Sequence, residues 1–124
     1  MEIHVQRKVL QEALDMFNKL GFAKGVYLKD KYGVTHNRKR VTACCAKGAL
    51  ALALDIPTTD FDSARYNQLY KRLEKAAYQV IREQTKPVEL YGHACPIAFV
   101  NDKLGKPAVV RMYELAINSC AEGA

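Results

Sequence analysis

The sequence predicts a single, mainly helical α+β domain with about four helices, a short β-hairpin and a central apolar helix. The chain has 124 residues, of which 49% are hydrophobic and 26% charged, and this suits one globular domain over residues 1–124. Apolar residues recur at three- and four-residue steps in several long segments, which is typical of amphipathic helices. Only one short stretch is rich in β-prone residues.

The first third of the chain predicts a helix followed by a hairpin. Over residues 3–20, side chains such as Val9, Leu10 and Phe17 form one apolar face, and Gly21 is expected to end the helix. The next segment is β-prone on both sides of a turn-like step, which predicts a hairpin over residues 26–36.

The next segment predicts the central helix of the domain. Residues 41–54 are apolar on nearly every side, as expected for a helix that is buried all round. Gly48 lies in its interior, where glycine costs about 1 kcal/mol of helix propensity relative to alanine. We therefore expect a close approach at Gly48, either by the backbone of the first or last helix or by a ligand.

The second half predicts two more helices separated by a mostly irregular segment. An apolar stripe over residues 63–84 predicts a long helix, with Asp62 available as its N-cap. Residues 86–102 are predicted to be mostly loop, with a one-turn helix near residues 97–100. The last helix is predicted to open at residues 105–107, because Pro107 suits the first helical position.

The net charge of +6 is concentrated in one part of the chain, residues 19–47, which we name the basic segment. It contains one acid, Asp30, so its charge is +7 and that of the remainder is −1. Such a local field favours nucleic acid, a nucleotide or an acidic protein surface as partner, with a solvated loop that aids solubility as the alternative. The eight basic residues are Lys19, Lys24, Lys29, Lys31, Arg38, Lys39, Arg40 and Lys47.

Candidate binding residues lie at two predicted helix starts, one after residues 38–40 and one after the Asn101–Asp102 step. Free backbone N–H groups and the helix dipole at such a start favour phosphate, especially beside basic side chains. No phosphate-loop or dinucleotide motif is present, so plain caps with solvated side chains are the alternative. With the aromatic and basic residues nearby, the predicted ligand-binding set is Arg38, Lys39, Arg40, Lys47, Tyr27, Asn101, Asp102 and Lys106.

The cysteines predict a reducing compartment. Of the four, Cys44 and Cys45 are adjacent and Cys95 and Cys120 are scattered, which is no secreted disulfide framework. The polar opening of the chain predicts no secretory leader, and no apolar stretch is long enough to span a bilayer. We therefore expect a cytoplasmic protein with no membrane partner.

The same residues offer little for metal chemistry. On a helix, Cys44 and Cys45 would point about 100° apart, and a His93-x-Cys95 spacing is not a usual zinc pair. The sequence predicts no metal and no cofactor, and it assigns no catalytic residue. A nucleophilic Cys45 paired with His36 or His93 stays open, with an inert buried thiol as the favoured interpretation.

Three local features resemble one family. They are Phe22 with Gly25 in the hairpin region, the C-A-K-G-A-L run at residues 45–50, and the Asn101–Asp102 step before the last helix. With the opening amphipathic helix, they resemble an uncharacterised family of small actinobacterial and phage proteins over nearly the full length. The resemblance implies a phage-borne or accessory protein, and it brings no activity or cofactor.

These observations predict a non-enzymatic binding protein that captures an anionic partner on the basic segment, chiefly through Arg38, Lys39 and Arg40. A nucleotide signal, a nucleic acid and the acidic face of a host-defence protein all fit. The alternative is a small enzyme that uses Cys45, or Asn101 with Asp102, on a phosphate-containing substrate. A homo-oligomer whose basic face is only structural stays open as a third interpretation.

Overall fold

The computed structural model describes residues 1–58, 63–85 and 95–122, and their fold confirms the predicted mainly helical α+β class. The helices are α1 (Ile3–Lys19), α2 (Ala46–Leu54), α3 (Ala64–Gln84), α4 (Pro96–Phe99) and α5 (Lys106–Glu122). The strands are β1 (Gly21–Phe22), β2 (Leu28–Asp30), β3 (Gly33–Val34) and β4 (Ala43–Cys44). A 3₁₀ turn (Arg38–Arg40) precedes β4, and a π-helical turn (Val100–Leu104) links α4 to α5.

The short helix α2 lies in the core, as predicted. It packs against α1, α3 and α4, while α5 packs against α1 and α3. Seven of its nine residues are buried, including Leu50, which has no exposed surface. Nine residues form a marginal helix on their own, so tertiary packing holds α2 in place.

The predicted start of the central helix at residue 41 is wrong, because α2 begins five residues later, at Ala46. Ala43 and Cys44 are hydrogen-bonded as β4 instead, parallel to β1 and antiparallel to β2. Val41 and Thr42 are β-branched and therefore poor helix formers, whereas the run of Ala and Leu after Cys45 is favourable. Cys44 and Cys45 are buried, but neither lies within the helix.

The predicted hairpin is confirmed as β2 and β3, and it belongs to a larger sheet with strand order β1-β4-β2-β3. Gly21 does not act as a left-handed helix cap, because it starts β1 and its φ is not positive. A Cβ at Gly21 would lie 3.0 Å from the Thr42 carbonyl oxygen, so the glycine allows close strand pairing.

The remaining helices lie close to their predicted positions. Ser63 caps α3 by accepting a 3.1 Å hydrogen bond from the Tyr66 N–H, while Asp62 lies outside the described residues. The predicted one-turn helix is α4, and α5 begins at Lys106 with Pro107 in its first turn. In the part of the chain described above, no helix is both long and apolar enough to cross a membrane.

Candidate functional site

A cleft of about 420 Å³ opens beside the N-terminus of α2. Its walls come from the loop before β2, the first turn of α2, α4 and the π-helical turn. Four of the eight predicted binding residues line it, so the fold brings together side chains up to 75 positions apart in sequence. These four are Tyr27, Lys47, Asn101 and Asp102, and Cys45 and Cys95 line the cleft beside them.

Asn101 joins three chain segments at the floor of this cleft. Its side chain is only 3% exposed, and its Oδ1 accepts a 2.9 Å hydrogen bond from the Ala46 N–H at the start of α2. Its Nδ2 donates to the Ala23 carbonyl at 2.9 Å and to Asp102 Oδ1 at 2.8 Å. Asn101 lies before α5, as the sequence indicated, but its amide is bonded to the start of α2.

Asp102 extends this network to the loop before β2. Its Oδ1 accepts a 3.1 Å hydrogen bond from the Gly25 N–H in addition to the one from Asn101. Gly25 has φ +74°, a backbone conformation that glycine adopts without strain. The Asn101–Asp102 step thus fixes the loop that carries Tyr27, which is a positioning role.

Cys45 is the N-cap of α2, since its Sγ accepts a hydrogen bond of 3.4 Å from the Gly48 N–H. Burial raises the pKa of the Cys45 thiol, although the backbone N–H groups of Gly48 and Lys47 that donate to the sulfur act to lower it. Burial likewise raises the pKa of Cys44 to about 12. Both thiols are therefore neutral at physiological pH, which supports the inert interpretation over the nucleophilic one.

Of the two histidine partners proposed for Cys45, only His36 lies within the described residues, and it is bonded elsewhere. His36 Nδ1 lies 3.0 Å from Thr58 Oγ1, to which it is hydrogen-bonded, and His93 lies outside the described residues. Within residues 1–58, 63–85 and 95–122, no three Cys, His, Asp or Glu side chains are grouped so that they could hold a metal ion.

Lys47 supplies the cation of the cleft. Its Nζ lies 5.4 Å from the Tyr27 ring centroid and 5.6 Å from that of Tyr70. Lys47 lies in the first turn of α2, where a cation opposes the helix dipole. The N–H groups of Ala46 and Gly48 are already bonded to side chains, so the anion-attracting group here is the ammonium rather than the helix start.

Arg38 was expected beside a helix N-terminus, but its guanidinium binds the C-terminal end of α2. It donates to the carbonyls of Leu52 at 2.6 Å and Ile56 at 3.0 Å, and it lies 3.3 Å from Asp55 Oδ1. A cation at a helix C-terminus neutralises the negative end of the dipole and caps the last carbonyls. The predicted helix start directly after residues 38–40 is therefore wrong, since α2 begins at Ala46, and anion binding by these residues stays a prediction without that support.

The other predicted binding residues do not converge on the cleft. Arg40 Nε lies 3.6 Å from Asp30 Oδ2, and its guanidinium lies over the Tyr32 ring. Lys39 is exposed in the 3₁₀ turn, and Lys106 Nζ lies 5.9 Å from the Phe17 ring centroid. The basic segment is thus split between the cleft, the C-terminus of α2 and the hairpin.

Two residues were not among the predicted site residues: Tyr70, which contacts Lys47, and Cys95, which lines the cleft. Tyr70 belongs to the apolar stripe predicted over residues 63–84, yet it is half-buried and its hydroxyl lies 3.4 Å from Cys95 Sγ. Helical spacing identifies which residues share a face, but it does not show that part of this face meets Lys47. Cys95 carried no signal beyond its residue type.

No protein-family model, curated protein or solved structure matches this chain in the comparisons made. The resemblance to the actinobacterial and phage family accordingly stays a prediction. The fold and the cleft define a small helical α+β domain with a ligand-sized site at the start of its central helix.

Proposed function

We propose that this chain is a non-enzymatic binding protein that holds a small anionic ligand with a planar ring, of the nucleotide class, in the cleft beside α2. The single observation that carries the proposal is the position of Lys47, whose ammonium lies in the cleft 5.4 Å from the centroid of the Tyr27 ring, which also lines the cleft. A phosphate on the ligand would meet this cation, and the flat part of the ligand would stack on Tyr27.

The local energetics support a functional role for Lys47. A cation in the first turn of a helix is unfavourable by about 0.3–1 kcal/mol, and cation–π contact with exposed rings returns a similar amount. The ring contacts of Lys47 thus offset the dipole cost and hold its ammonium beside Tyr27, where a phosphate on the ligand would meet it.

The rest of the cleft would select the ligand. Tyr27 is 36% exposed, so part of its ring is accessible for stacking. The Asp102 carboxylate would accept a hydrogen bond from a ring N–H, because a carboxylate has more acceptor positions than the two hydrogen bonds it receives here. A nucleotide, with a donor edge on its base and a phosphate, offers a partner to each of these two groups.

The proposal also includes the cellular compartment and the biological role of the protein. All four cysteines are free, as expected in a reducing cytoplasm, and we place the protein there. The phage-borne or accessory role implied by the family resemblance is part of the same proposal, with a nucleotide signal as the ligand that suits it.

Calorimetric titration with nucleoside monophosphates, and with the same nucleosides lacking phosphate, tests the proposal. We expect a nucleotide to bind, the matching nucleoside to bind more weakly, and Lys47→Met to weaken nucleotide binding at least about tenfold, the effect of 1.4 kcal/mol. Lys39→Met removes the same charge from an exposed residue outside the cleft and should bind as the parent does.

Unfolding of both variants is followed in parallel, and the melting temperature of Lys47→Met should stay close to that of the parent. Absence of nucleotide binding, or equal binding by the parent and Lys47→Met, would show that the proposed function is wrong.

The enzymatic alternative rests on one observation, which is that Cys45 lines the cleft at a helix N-terminus. The raised pKa of the Cys45 thiol argues against this alternative, because the nucleophile would be the deprotonated thiolate. Iodoacetamide labelling at neutral pH distinguishes the two functions, because a catalytic thiol would be alkylated much faster than a thiol in the unfolded chain, whereas we expect Cys45 to be alkylated more slowly.

A further inference from the structure

The tip of the β2–β3 hairpin presents an exposed aromatic ring. Tyr32 is 75% exposed, and Val34 beside it on the edge strand is 63% exposed. The turn is held by the Tyr32 N–H, which donates a 2.7 Å hydrogen bond to Asp30 Oδ1. The ring therefore projects from a fixed backbone, while the side chain that fixes the turn is almost buried.

Cations lie around this ring. Lys31 Nζ is 5.0 Å and the Arg40 guanidinium carbon 5.4 Å from the Tyr32 ring centroid. Arg40 is anchored by Asp30, whose side chain is 10% exposed, so the guanidinium is held near the ring. Lys29 is exposed on β2, directly across from Val34.

We propose that this hairpin surface, made of Tyr32, Lys31, Arg40 and Lys29, binds single-stranded nucleic acid. An unpaired base would stack on Tyr32, and the flanking phosphates would contact the three cations. An unpaired base is favoured, because the bases of a duplex are already stacked on one another and separating them costs a few kcal/mol per step. The +7 charge of the basic segment supplies the long-range attraction.

This surface is separate from the cleft. Tyr32, Lys31, Arg40 and Lys29 do not line the cleft, which reaches the hairpin only at Val34, and Lys47 and Asp102 take no part in the contacts around Tyr32. The inference therefore goes beyond the proposed function, and the two can fail independently.

Fluorescence anisotropy of a labelled oligothymidylate over a salt series tests the inference. We expect Tyr32→Ala to weaken binding about tenfold, the loss of one stacked base, and Tyr32→Phe to bind as the parent does. Arg40→Gln should reduce the slope of log K against log salt by about 0.7, the contribution of one phosphate contact on a single strand. Arg82→Gln removes the same charge from an exposed residue of α3 and should leave the slope unchanged.

Three outcomes would overturn the inference. They are no binding of the oligonucleotide by the parent, equal binding by Tyr32→Ala and the parent, and equal competition by polyglutamate, which would show that the surface attracts charge without stacking a base. Circular dichroism melting of each variant ensures that a loss of affinity comes from a folded protein. A duplex of the same length should bind more weakly, and preference for the duplex would equally contradict the proposal.

Discussion

Replacing Gly48 with alanine should destabilise the protein, although alanine is the better helix former. A Cβ at this position would overlap the Tyr27 carbonyl oxygen and lie 2.9 Å from its carbonyl carbon and 3.1 Å from Leu28 Cδ2. The close approach predicted from the sequence is therefore present, but it comes from the chain entering β2 rather than from a neighbouring helix or a ligand.

The Tyr27 carbonyl cannot move away without loss, because it accepts a 3.0 Å hydrogen bond from the Cys45 N–H. Overpacking costs about 1–3 kcal/mol, and weakening this hydrogen bond adds about 1 kcal/mol. The propensity gain of alanine returns about 1 kcal/mol. The net loss for Gly48→Ala is about 2 kcal/mol, or about 8 °C in melting temperature for a domain of this size.

Thermal unfolding followed by circular dichroism measures this loss directly, and Gly48→Val should melt lower still because it adds more atoms. Ala53→Gly, in the same helix, calibrates the propensity term and should cost about 1 kcal/mol. A melting temperature for Gly48→Ala at or above that of the parent would refute the reasoning, since the Tyr27 carbonyl would then have room to move.

Two substitutions and a rise in pH should each lower the free energy of unfolding, for reasons that the structure gives. Asn101→Asp should lower the free energy of unfolding in urea by about 3 kcal/mol, because it buries a second carboxylate beside Asp102 and removes the donor to the Ala23 carbonyl. Arg38→Met should cost about 2 kcal/mol by uncapping α2, whereas Lys39→Met should change stability by less than about 0.5 kcal/mol in the same assay. Stability should also fall above pH 9, because the Cys44 thiol has an ordinary pKa of 9.0 and a folded pKa of about 12, so raising the pH favours the unfolded chain. The Cys44 thiol should therefore have no effect on how the urea midpoint varies with pH below pH 9, and it should lower the midpoint as the pH rises above 9. In Cys44→Ala the midpoint should fall less over the same pH range.

The long helices could be predicted from the sequence because each has one solvent-exposed face and one buried face. In α1 the buried residues Leu10, Leu14 and Phe17 recur at the helical period, and in α3 the same holds for Leu69 and Leu73. Such periodicity depends only on local sequence, so it identifies the element before its partners are known.

The boundary of α2 could not be predicted in the same way. A segment that is buried on every side has no polar face to set a period, and two-residue strands such as β4 are too short to show alternation. The error then propagated, because placing the helix start at residue 41 put Arg38 at the wrong end of the helix.

The candidate site was predicted in part. Tyr27, Lys47, Asn101 and Asp102 were named from charge, aromaticity and position, and they share one cleft. Their arrangement depends on contacts between distant segments, such as the Asn101 amide bound to the Ala46 N–H, and no local pattern contains that information.

The Asn101 amide also has a consequence for the order in which the molecule is assembled. Its two hydrogen bonds to backbone groups close loops of 55 and 78 residues, so the start of α2 and the loop after β1 acquire their partner only after α3 and α4 have been synthesised. Contacts of such long sequence separation form late and slow the folding reaction. During synthesis, α1 and α2 can therefore emerge while the cleft beside them still lacks the Asn101–Asp102 step, so the cleft is completed only after the chain has passed α4.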